Sequence, residues 1–142
     1  MTFLAACGGD GTTAGSQPTG TFSAVPSAAG SAPVATDVEI CKSADEAKRA
    51  MITALFAGID GDGNVPPAVS QKVLDQAGET LTKMAESGGD SEVASAVKEL
   101  GAEVSKAAAA PDPFKAVDSA SFTAAGERFK AACKKAGYTT TS

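Results

Sequence analysis

Two regimes of hydrophobic patterning divide the chain. From about Asp37 to Tyr138, apolar residues return at intervals of three and four, the period of helices that bury one face. The first run holds Ala44, Ala47, Met51, Ala54 and Leu55 and ends near Gly58. Two capping boxes compete to open it, Thr36 with Glu39 and Ser43 with Glu46, and the sequence does not choose between them. Asp60-Gly61-Asp62-Gly63-Asn64 reads as a turn, and Pro66-Pro67 suit the opening of a second helix. That helix carries Val69, Val73, Leu74, Ala77, Leu81 and Met84, and stops at Ser87-Gly88-Gly89. Asp90 or Ser91 caps a third, with Val93, Val97, Leu100 and Val104 on its stripe. Its end falls in the alanine run before Pro111-Asp112-Pro113, because proline cannot continue a helix. A fourth runs from about Ser119 through Phe122, Ala125, Phe129, Ala132 and Cys133 to Gly137. Short connections between four helices predict an all-α fold, an up-down-up-down four-helix bundle over residues 37–138 with a disordered tail at 139–142.

Residues 8–36 follow no such period. Of these 29 residues, 24 are Gly, Ala, Ser, Thr or Pro, and the block carries one charge, Asp10. So little apolar surface cannot offset the entropy of ordering, so the segment is expected to be a disordered tether.

Composition narrows the chemistry. The 142 residues contain no histidine and no tryptophan. Histidine-dependent triads, imidazole proton shuttles and His-ligated zinc or haem are therefore excluded, and no metal or cofactor is expected. Twelve basic against seventeen acidic residues leave a net charge of −5, which argues against a nucleic-acid partner. No stretch approaches the ~20 apolar residues of a membrane-spanning helix.

The N-terminus carries a motif. Leu4-Ala5-Ala6-Cys7, an aliphatic residue and two small ones before a cysteine, resembles the lipobox of bacterial lipoproteins. With the tether and the helical domain, the layout resembles the small lipoproteins of high-GC Gram-positive bacteria. The resemblance implies cleavage before Cys7, a diacylglyceryl group on its sulfur, and an extracytoplasmic domain held at the cell membrane. Two acyl chains hold a protein firmly where one is marginal. Residues 1–6 then read as the remnant of a signal peptide, although such peptides need a basic stretch and roughly 7–15 apolar residues. Only six residues precede Cys7 and none is basic. Either the start lies upstream of Met1, or the four-residue match is coincidence.

The other two cysteines fit the same picture. Cys41 opens the first helix and Cys133 closes the fourth, and an up-down-up-down bundle brings those ends together. A Cys41–Cys133 disulfide is expected, worth up to ~4–5 kcal/mol in the chain-entropy view and at home in an oxidising compartment. One lipidated and two paired cysteines leave no free thiol.

The remaining candidates have plain structural readings beside their chemical ones. Cys7 lacks the cationic surroundings of a reactive thiol. Asp60, Asp62 and Asn64 imitate half a calcium loop, but Val65 and Gln71 stand where glycine and glutamate belong. Glu92, Glu99, Glu103 and Lys106 share a side of the third helix, either as a solvated face or as carboxylates for acid–base work. Met51 and Met84 read as core fillers rather than a soft-metal surface. Tyr138, the sole tyrosine, has no supported ligand role. Arg128, Lys130, Lys134 and Lys135 suit either the negative helix end or anionic headgroups. The leading expectation is a non-catalytic envelope module that binds a protein, a polymer or a small ligand. The alternatives are a carboxylate-dependent envelope hydrolase and a cytosolic helical adaptor.

Overall fold

A computed structural model of the protein describes residues 34–141. The described chain is all-helical, with α1 at Asp37–Ala57, α2 at Pro67–Ser87, α3 at Glu92–Ala108, α4 at Pro113–Ala116 and α5 at Ala120–Lys135. Local chemistry sets each start. Thr36, not Ser43, opens α1: its side chain accepts from the Glu39 N–H, and the Glu39 carboxylate accepts from the Thr36 N–H at 2.9 Å. Pro67 stands at the first position of α2, where its missing N–H costs nothing. Ser91 caps α3 and Ser119 caps α5, each accepting from the backbone N–H three residues on.

Five helices replace the four expected from the pattern. The addition, α4, is a single turn that the sequence disguises as a helix stop. Asp112 accepts from the Lys115 N–H at 3.1 Å, and Pro113 takes the first helical position. The same Pro-Asp-Pro that ends α3 therefore starts a new turn, which carries Phe114 back over the helices.

The most extensive pairing is α2 with α3, and its closeness follows from two glycines. Gly78 and Gly101 are both buried. A Cβ built on Gly101 would lie 3.2 Å from Leu81 Cβ and 3.4 Å from the Gly78 carbonyl oxygen. Any larger residue there would push the two backbones apart. Leu74, Leu81, Val93, Val97, Leu100 and Val104 fill this seam, with alanines between them. The α5 helix packs on α3 through Ala125, Phe129 and Ala132, whereas α1 lies chiefly on α2. Polar ties line the outer edge of the α3–α5 seam, from Glu92 to Lys135 at 2.7 Å, from Glu99 to Arg128, and from Glu103 to the Ser121 hydroxyl at 2.7 Å. Residue numbers rise along α3 as they fall along α5, so these helices run antiparallel.

Candidate functional site

α1 and α5 meet at one end and part at the other. At the closed end Cys41 and Cys133 form a disulfide, with an S–S length of 2.05 Å and 5.7 Å between Cα atoms. Both cysteines are fully buried. One helical turn further along α1 sits Asp45, whose side chain is also fully buried. Its Oδ2 accepts from the Thr141 hydroxyl at 2.6 Å, the Thr141 N–H at 3.1 Å, the Tyr138 hydroxyl at 3.4 Å and the Arg49 guanidinium at 3.3 Å. Its Oδ1 has no hydrogen-bond partner among the described residues. Burial pushes the Asp45 carboxyl upward, but the Thr141 hydrogen bonds and the nearby Arg49 and Lys48 charges outweigh it. The net effect holds the group below the ordinary carboxylate range. Thr141 belongs to the stretch read from sequence as a tail, and here its backbone and hydroxyl both bind the helix that starts the domain.

Beyond this clasp the helices leave a cleft. Its walls are the C-terminal half of α1 and the first half of α5. Phe114 and Val117 bound it from α4 and the residue that follows, and Ala77, Leu81, Leu100 and Val104 form the floor on α2 and α3. The volume is about 270 Å³. Fifteen residues line it, and Lys48 is the only one whose side chain is not apolar or absent. Phe56, Phe114, Phe122 and Phe129 all line it, which is every phenylalanine among the described residues. Phe129 is buried at the base, while Phe56, Phe114 and Ile52 at the rim are 66%, 42% and 38% exposed. The described residues, which hold few aromatics, thus gather all their phenylalanines around one opening and leave part of that surface in water. That arrangement costs free energy unless something covers it.

Some of the residues singled out from sequence belong to these two features, and others lie elsewhere. The Cys7 anchor and the Leu4, Ala5 and Ala6 positions of the lipobox lie outside the described residues. Cys41 and Cys133 are bonded to each other. Met51 lines the cleft, and Met84 packs against the core. The Tyr138 hydroxyl donates to Asp45 Oδ2 within the clasp. In the calcium-like turn the Asp60 Oδ1 accepts from the backbone N–H of Asp62 and Asn64 at 3.0 and 2.9 Å, so this carboxylate oxygen braces its own loop. Among the described residues, no three potential metal ligands cluster. Glu92 and Glu99 face α5 across the seam, and Glu103 joins both Ser121 and Lys106. Arg128 and Lys135 are engaged in those same ties.

Sequence reading missed both Asp45 and the cleft. Asp45 sits in a run of charged residues that looks solvated, and three of its four hydrogen bonds come from 93 and 96 positions away. The cleft had a usable signal, four phenylalanines in a phenylalanine-poor domain, two of them off any helical stripe. No helix among the described residues is long and apolar enough to cross a membrane. No protein-family model, curated protein or solved structure matches this chain.

Proposed function

We propose that the chain is a lipid-anchored extracytoplasmic protein whose helical domain is a non-catalytic binding module for an apolar ligand. In this reading α1, α2, α3 and α5 make an up-down-up-down bundle, with α4 a single turn inserted in its last connection. The observation that carries the binding role is the cleft, where all four phenylalanines of the described residues surround one apolar opening. The carboxylates of α3 support a non-catalytic role, since Glu92, Glu99 and Glu103 are spent on ties to α5 and Lys106. Anchoring rests on Leu4-Ala5-Ala6-Cys7 and the Gly/Ala/Ser/Thr/Pro tether that follows. The buried disulfide supports an oxidising compartment.

Two measurements test this. The gene, expressed with its upstream DNA in a lipoprotein-processing bacterium fed labelled palmitate, is expected to yield a labelled protein, and Cys7→Ser an unlabelled one. An unlabelled wild type removes the anchor. The unlipidated Cys7→Ser chain, titrated with the neutral dye N-phenyl-1-naphthylamine, is expected to show saturable one-to-one emission enhancement. A rise that never saturates removes the binding site.

A further inference from the structure

We propose that the cleft takes a single-chain anionic amphiphile of the fatty-acid class, with its hydrocarbon chain between α1 and α5 and its carboxylate on the Lys48 ammonium. This inference rests on the binding reading above and names the ligand. The wall dictates the body of that ligand. Apart from Lys48 the lining offers no side-chain donor or acceptor, so a ligand with polar groups along its length would leave them unpaired. A hydrocarbon has none to lose.

Size and charge narrow the choice. The cleft volume of about 270 Å³ corresponds to roughly nine groups of the ~30 Å³ that a water molecule occupies, the size class of a methylene. That is room for one short acyl chain. A protein partner needs about 20–30 residues on each side, whereas only Ile52, Phe56 and Phe114 offer exposed large apolar surface at the rim. Lys48 supplies the head-group contact. It is half-buried and lines the cleft, and such a lysine lays its stem on apolar surface while its ammonium turns toward water. Asp45, the buried carboxylate one turn back, gives its ion pair to Arg49 and its other bonds to Thr141 and Tyr138. Among the described residues no carboxylate lies within ion-pair distance of Lys48. An anionic head on a single chain satisfies both the wall and Lys48.

The test is calorimetric titration of the full Cys7→Ser chain with saturated fatty acids and the matching alcohols, each below its micelle concentration. Kd is expected to fall about fourfold for each added methylene, the equivalent of ~0.8 kcal/mol per buried CH₂, and to level off near a nine-carbon chain. The acid is expected to bind about tenfold or more tightly than its alcohol, the scale of one charged hydrogen bond. Lys48→Met should erase that preference by raising the acid's Kd to the alcohol's. Gly126→Leu should abolish binding of both, since position 126 lines the cleft. A Cβ there meets nothing within 4 Å, so the helix keeps its fold, which its circular dichroism melt verifies.

Equal binding of acid and alcohol by the unsubstituted cleft overturns the inference, as does a preference that survives Lys48→Met. Binding confined to anionic phospholipid vesicles assigns the surface to a bilayer and overturns it too. So does a concentration-dependent dimer, seen by sedimentation, that Phe56→Ser dissolves. If the neutral dye binds saturably but the fatty acids do not, this inference fails alone. If neither binds, the binding function fails with it.

Discussion

The same two helices build a sealed end and an open one. Near Cys41, α1 and α5 share a covalent bond, a buried carboxylate and the chain past α5, folded back as far as Thr141. Between Ala47 and Phe56 on one helix, and Phe122 and Phe129 on the other, they share only the walls of a cleft. Small residues explain the seal, because Ala44, Cys41 and Cys133 let the helices approach. Large ones explain the gap, because four phenylalanine rings occupy the far end without closing over it. The comparison teaches that a cross-link and a polar lock at one end relieve the other of any need to pack. A cleft can persist there because the domain's integrity is secured elsewhere.

The strongest way to break the contrast is to cut the clasp. Cys41→Ala with Cys133→Ala frees a segment spanning 92 positions and is expected to lower stability by about 4 kcal/mol, much of it by releasing the denatured chain. Urea unfolding followed by circular dichroism checks this, with a steeper denaturant dependence as the sign of a more expanded unfolded state. Next comes Phe129→Ala, at the junction of core and cleft. Its ring is buried, and its loss should cost about 3 kcal/mol, the low end for such a truncation because the cleft already borders it.

Asp45→Asn removes the charge of the lock but keeps an acceptor for Thr141. The expected loss is ~1–2 kcal/mol at neutral pH. Acid should shrink that difference. The carboxyl titrates lower in the folded protein than its unfolded value of about 3.9. Its contribution is therefore complete above about pH 4 and disappears as pH falls through the folded value. Glu39, held low by its hydrogen bonds to Thr36, acts in the same direction, so the variant should retain part of the acid slope. Thermal melts of both proteins between neutral pH and the acid limit provide the check.

The smallest effects sharpen the comparison by sign. At the sealed end a Cβ on Gly88 would lie 2.9 Å from the Ala94 Cβ and run into Ile40, so Gly88→Ala should destabilise by about 1 kcal/mol. At the open end Gly126→Ala meets no neighbour and should stabilise by ~0.5–1 kcal/mol through helix propensity alone. Melting temperatures moving in opposite directions would bear out the contrast, and a shared direction would erase it.

Much of the scaffold was legible because its signals are local. Pro66-Pro67, Ser91, Ser119 and the glycines at 58, 88 and 89 sit within a residue or two of the helix ends they mark. The disulfide was legible because helix order alone brings Cys41 and Cys133 to one end. α4 was not, since Pro111-Asp112-Pro113 serves equally to stop one helix and to cap another. Asp45 was hidden by its charged neighbours, because burial depends on Tyr138 and Thr141 arriving from the far end of the chain. Phe56 and Phe114 were hidden for the opposite reason. Helical periodicity reports faces that are covered, and these rings are partly bare.

Mechanically, the bridge acts as a shunt. Tension drawn between residues 34 and 141 runs along the short lead into Cys41, across the sulfurs, and out from Cys133. Once the Thr141 bonds to Asp45 give way, everything numbered between those two cysteines, the cleft included, lies off the covalent path. A domain hauled taut by its two ends would therefore stretch at its margins while its cleft keeps its shape.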